Sequence, residues 1–209
     1  MKNLLISTLV LIQMLGCKSN EQIPQQKTRN IDALYQQFHG KYRIVNAVSN
    51  EEVDVNLDGK ASTDLLTEIE ELTIGSLTNP YSEIRIYKPS QLNPEASFLF
   101  TQAWPEQFVR MGNGKVWDGL EMIAYNPSYS FAYDMKVVVR KFDFSEDLKQ
   151  LTVVPDNSEA PIFLQSSPKS VSVLDDGKIV VTANRKVYTS EGVKQITVTT
   201  TYERFTMTT

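Results

Sequence analysis

The 209-residue chain has one cysteine, Cys17, and one histidine, His39. A lone cysteine rules out an intramolecular disulfide framework and a zinc site built from several thiolates at short spacings. A lone histidine means that any Ser-His-Asp arrangement would have to use His39. Basic residues are not in excess: 21 Lys and Arg stand against 25 Asp and Glu, a net charge of −4. The basic stripe that nucleic-acid binding calls for is therefore missing. No apolar run reaches the roughly 20 residues of a permanent membrane-spanning helix. Phosphate-loop glycine patterns, internal repeats and low-complexity tracts are also missing.

What is present begins with Met1-Lys2-Asn3, a short basic start. Leu4 to Leu15 follows as an apolar segment interrupted only by Ser7, Thr8 and Gln13, and then Gly16-Cys17. This layout predicts a secretory signal over residues 1–16. Met14-Leu15-Gly16-Cys17 resembles the lipobox of bacterial lipoproteins, with Met14 where that family most often has Leu and Leu15 where a small residue is commoner. The resemblance implies that Cys17 is lipidated, with palmitate-type acyl chains, and becomes the first mature residue. At about 0.8 kcal/mol per buried methylene, several chains would hold the protein at a membrane. Lys18 is not the aspartate that retains some lipoproteins at the inner membrane, so the resemblance places the protein in the cell envelope, at the outer membrane. Cleavage would remove Lys2 and no acidic residue, shifting the net charge to −5. From Lys18 to Ile31 the chain is nearly devoid of apolar residues and reads as a flexible tether. Residues 32–209 are left as a single domain, long enough to bury one core.

Within that domain, Asp32 to His39 has helical spacing and Gly40 as a stop. Lys41 to Ser49 alternates as a strand, with Tyr42, Ile44, Asn46 and Val48 on one face. Further strands are expected at Ile84–Tyr87, at Ser97–Ala103 and Gln107–Met111 on either side of Trp104-Pro105, and at Met122–Tyr125. The series continues with Ser130–Phe144 and Gln150–Val154. Asn113-Gly114 is a strong hairpin signal, because a type I′ turn needs positive φ at both central positions. The last third reads as a meander: Val171–Leu174, Lys178–Thr189 and Val193–Met207, joined by turns at Asp175-Asp176-Gly177 and Ser190-Glu191-Gly192. Long strands with tight turns favour a closed sheet, which hides their edges. The expected fold is mainly β, an antiparallel meander closing into a barrel with one or two short helices. A β-sandwich is the alternative.

The most chemically specific stretch is Asp54-Val55-Asn56-Leu57-Asp58-Gly59-Lys60-Ala61-Ser62-Thr63-Asp64. In a calcium loop of the EF-hand kind, ligands come from positions 1, 3, 5, 7 (through the carbonyl), 9 and 12, with glycine at 6. Asp54, Asn56, Asp58, Gly59, the Lys60 carbonyl and Ser62 match positions 1 to 9. Position 12 is Leu65, and the acids nearest to it are Asp64 and Glu68. The stretch resembles a dockerin loop shortened by one residue. A second loop is lacking, so the resemblance implies a structural calcium and not cohesin binding. The same residues also suit an Asx-rich turn before a helix of about Thr63–Leu72 capped by Ser62 or Thr63, which needs no ion.

Taken as a whole, the order of signal, Gly-Cys, polar tether, short helix, strand, Asp-rich loop and β-meander resembles the lipocalin-like lipoproteins of Bacteroidetes. The Gly40-Lys41-Tyr42 entry is similar to the Gly-x-Trp entry of lipocalins. That resemblance implies a non-catalytic protein, anchored to the membrane through its lipid, whose barrel holds a small apolar ligand. The alternative is a structural or protein-interaction accessory with a filled core and no ligand. Bulky inward residues on the long strands would favour the second, small ones the first. The aromatics Trp104, Trp117, Tyr125, Tyr129, Phe131 and Tyr133 fit a ligand mouth or the packing of long strands. His39 suits a helix C-terminus. Paired carboxylates of a glycosidase leave no sequence spacing, and no other catalytic set is legible.

Overall fold

The computed structural model describes residues 31–76, 79–80, 82–87, 99–154 and 156–208. The expected signal peptide, Cys17 and the tether up to residue 30 lie outside them. Eight long strands form one antiparallel meander: β1 (Gly40–Val53), β2 (Glu83–Tyr87), β3 (Leu99–Gly112), β4 (Ser130–Phe144), β5 (Gln150–Val154), β6 (Pro168–Val173), β7 (Ile179–Thr189) and β8 (Gly192–Thr206). Each pairs with the next, and β8 pairs back onto β1 from Lys41↔Thr206 to Ser49↔Val198. The sheet is therefore a closed barrel, as expected, and the sandwich alternative falls away. Short strands at Ser62–Asp64 and Lys115–Val116 attach to β1 and β3. The helices are short: α1 (Ile31–Phe38), α2 (Leu65–Glu68) followed by a 3₁₀ turn at Glu70–Leu72, and α3 (Pro161–Gln165).

The ring is complete only around the start of β1. There every strand sends an apolar side chain inward: Tyr42, Ile84, Phe100, Phe142, Leu151, Val171, Ile179 and Tyr202 meet in one core. Leu34 and Phe38 of α1 close this end of it. The Arg204 guanidinium donates to the carbonyls of Gln36 and Gln37, which end α1, and the Tyr42 hydroxyl donates to the Phe38 carbonyl at 2.7 Å. A cation on these free carbonyls offsets the helix dipole. Gly40 has φ +145°, and a Cβ there would collide with the Thr206 carbonyl at the β1–β8 seam.

Toward the other end β2, β5 and β6 stop while their neighbours run on, which leaves two windows in the wall. The first lies between β1 and β3. Residues 54–72 fill it: Val55, Leu65, Ile69 and Leu72 pack with Ala47 and Val53 of β1, Trp104 of β3, Val187 of β7, and Ile196 and Val198 of β8. The second window, between β4 and β7, is spanned by residues 156–167. A separate small core packs Val109, Trp117, Tyr188 and Val193 with Leu57, Ile123, Tyr129 and Phe131.

Three expectations change. The inward face of β1 does not run Tyr42, Ile44, Asn46, Val48, because the pairing with β8 slips between Ile44 and Asn46. One extra residue flips the phase of a period-two pattern, so Ala47 is fully buried while Asn46 is exposed. Trp104-Pro105 does not divide two strands. β2 ends opposite Ala103, so Pro105 faces no ladder neighbour on that flank and β3 continues through it. Met122–Tyr125 is not a strand but a loop against the β7–β8 turn, where the Val193 amide donates to the Ile123 carbonyl at 2.8 Å. Asn113 (φ +50°) and Gly114 (φ +74°) do form the expected tight turn.

If residues 54–72 close the first window, Leu65→Ala should cost about 2–5 kcal/mol in urea unfolding, the range for emptying a packed site. Val137→Thr on the exposed face of β4 should stay within about 0.5 kcal/mol. Equal small losses would contradict this packing.

Candidate functional site

The acidic loop leaves the end of β1 at Asp54 and turns back into α2. Asp54 is 5% exposed. Its Oδ2 accepts the Gly59 amide at 3.2 Å, and its carbonyl accepts the Ser190 amide at 3.1 Å, tying the loop to the β7–β8 turn. Its Oδ1 is buried and has no hydrogen-bond partner. The Asn56 Oδ1 accepts the Asp58 amide at 2.9 Å, and the Asp58 Oδ1 accepts the Lys60 amide at 2.8 Å. Both are Asx turns at exposed side chains. Gly59 takes φ +84°, as glycine at the sixth position of such a loop should.

Of the two acids that could stand in for position 12, the structure brings in one. Asp64 is exposed and its Oδ1 accepts the Leu66 amide at 3.0 Å, so Asp64 is the N-cap of α2. This corrects the expected cap at Ser62 or Thr63: the helix starts at Leu65, and the Ser62 hydroxyl instead accepts the Asp64 amide. Glu68 is 4% exposed and turned into the loop, where its Oε2 accepts the Val55 amide at 2.8 Å. Burial raises the Glu68 pKa, the Val55 and Asn56 amides oppose this, and the negative charges of Asp54 and Asp58 raise it further. Asp54, Asp58 and Glu68 thus share one electrostatic environment, while Ser62 and Asp64 serve the helix start.

Among the described residues, no three acidic, histidine or cysteine side chains stand in a metal-coordinating arrangement. A buried carboxylate oxygen without a partner is costly, and Asp54 Oδ1 sits in the first position of a calcium pattern with a second buried acid nearby.

The sequence reading missed a second polar centre, inside the barrel. The Arg185 side chain is 4% exposed, lies over the Trp104 ring at 4.0 Å and donates from Nη1 to the Glu106 Oε1 at 2.6 Å. Burial pulls its pKa down, and Glu106 works against that shift. The Arg140 side chain is 1% exposed and its Nη2 bonds the Glu159 Oε2 at 3.0 Å. Tyr202, near Gln102 at 3.5 Å, has its pKa pushed up to about 12 by burial. The signal was available: Arg140 shares a strand face with Phe142 and Phe144, and Arg185 with Val181, Ala183 and Val187. An arginine in an inward-facing series marks a buried charge.

The aromatics mostly pack. Trp117, Tyr129 and Phe131 belong to the small core around Tyr188, and Tyr125 stacks on Tyr188 at 6.1 Å. His39 is buried and stacked on Tyr35 at 4.3 Å. Compared with known protein families, curated proteins and solved structures, the chain matches none.

Glu68→Ala would remove the acceptor of the Val55 amide inside a buried turn. We expect it to destabilise the protein by about 1–3 kcal/mol, and Asp58→Ala to cost less than half of that in calcium-free buffer. Chemical denaturation checks both, and a neutral Glu68→Ala would show that the loop closes without this carboxylate.

Proposed function

We propose that the chain is a non-catalytic lipoprotein of the bacterial outer membrane, lipocalin-like in build, held by lipid at Cys17 and clamped by one structural calcium ion in the 54–68 loop. The observation that carries the calcium reading is the buried, unpartnered Asp54 Oδ1. Asp54, the Asn56 side-chain oxygen, Asp58, the Lys60 carbonyl and Glu68 would hold the ion. Ser62 and Asp64, engaged at the helix start, would not. The ion would neutralise the acids that otherwise repel across the loop, and so fasten residues 54–72 into the first window.

Support for the filled-core alternative comes from the interior. Two cavities there, bordered by Trp104, Glu106 and Arg185, measure about 10 Å³ each, about the space of one water molecule. The inward positions hold Tyr42, Phe100, Trp104, Phe142 and Tyr202. Among the described residues, and with both windows covered, these cavities are too small for an apolar ligand, and an accessory role exercised through the surface fits this form better.

For a site in the extracellular range, with Kd on the order of 10⁻⁴ to 10⁻³ M, 10 mM calcium should add about 1.4–2.7 kcal/mol. That corresponds to a rise of about 3–10 °C in melting temperature for a domain of this size. Asp54→Ala and Asp58→Ala should abolish the rise. Equal melting in calcium and in EDTA would leave the loop an ordinary turn. Separately, Cys17→Ser should move the protein from the membrane to the soluble fraction; unchanged fractionation would defeat the lipid anchor.

A further inference from the structure

The second window differs from the first in what fills it. β5 and β6 meet through only two residue pairs, Val171↔Leu151 and Ser172↔Gln150. Beyond them, β4 before Lys141 and β7 after Ala183 have no strand between them. Residues 156–167 cross the gap, and no residue of α3 is buried. The crossing is held by few contacts. Arg140 bonds Glu159 and the Phe163 carbonyl (3.1 Å), Gln165 bonds the Gly119 carbonyl (2.9 Å), and Ile162 rests on Gly119. This gap is therefore a thinly covered approach to the interior.

Behind the crossing lies one of the two small cavities, lined by Gln102, Trp104, Glu106, Arg140, Phe163 and Arg185. Arg185 has its own carboxylate from the barrel wall, Glu106. The partner of Arg140 comes instead from the crossing segment, and the fit between them is incomplete. Arg140 Nε and Glu159 Oε1 are both buried and without a partner. A guanidinium prefers to engage a carboxylate through two parallel bonds, and a half-satisfied buried pair is expensive. A carboxylate from elsewhere, free of the geometry of the crossing, could bond both Nε and Nη2.

We propose that residues 156–167 are a lid over a carboxylate-binding site, and that Glu159 occupies Arg140 until a carboxylate ligand displaces it. Trp104 would flank the ligand and Gln102 would donate to it. The proposal rests on the barrel alone and holds whether or not the 54–68 loop takes calcium.

The test is calorimetric titration of the full chain in calcium-free, carboxylate-free buffer with acetate and with octanoate, which separate a bare headgroup from one with an apolar body. Glu159→Gln removes the competing charge and should tighten binding of at least one probe about 10- to 100-fold relative to the natural chain, the value of one or two bonds to a charged group. The double variant Arg140→Gln/Glu159→Gln, which removes both charges together and so leaves neither one buried alone, should not bind. Amide exchange in residues 156–167 should rise when the probe binds. Neither probe binding to Glu159→Gln, or binding that survives in the double variant, would overturn the proposal.

Discussion

The architecture depends on how the first window is sealed. Eight strands of unequal length can close a ring only where all of them are present, and here that is the end near Gly40. Above it β1 and β3 would expose unpaired backbone and an open core. The excursion from Asp54 to Leu72 solves both problems. It supplies a short strand to β1 and drives Val55, Leu65, Ile69 and Leu72 against Trp104 and Val198. To do so it must bury Asp54 and Glu68, and burying two carboxylates together needs compensation. The Gly59, Val55 and Asn56 amides provide part of it. The oxygen left over on Asp54 is the observation behind the proposed calcium ion.

The second window is closed by other means. Its cover buries no residue of its helix and is held mainly by one ion pair whose partners do not fully match. The barrel therefore has one seal built from packed side chains and one built from a charge pair. The second, held by few contacts, can open locally while the ring stays folded. Both small cavities border the Trp104–Arg185–Glu106 group between the two seals.

Much of this was legible in the sequence and some was not. The meander of the last third, the Asn113-Gly114 turn and the helix before Gly40 rest on local chemistry, and local chemistry decided them. The face of β1 beyond Ile44 could not be read, because a bulge is set by pairing with a strand some 150 residues away. The continuity of β3 through Pro105 was hidden for a similar reason: a proline is tolerated where the neighbouring strand has ended, and only the fold says where that is. At the loop, the pattern singled out Asp54, Asn56 and Asp58 as candidates, and the fold turns Glu68 toward Asp54 while Asp64 caps the helix. The inward arginines were visible as breaks in an apolar alternation, but their carboxylates, Glu106 and Glu159, come from distant segments that spacing does not reveal.

The central claim is that the 54–72 excursion is a cation-clamped seal. Amide hydrogen exchange with and without calcium tests it most directly. Calcium should slow exchange at Val55, Asn56 and Gly59, extending to Ser190, whose amide bonds the Asp54 carbonyl, with no change in residues 156–167, whose local opening does not release the ion. Exchange in residues 54–68 that is indifferent to calcium, or an equal slowing in residues 156–167, would contradict it.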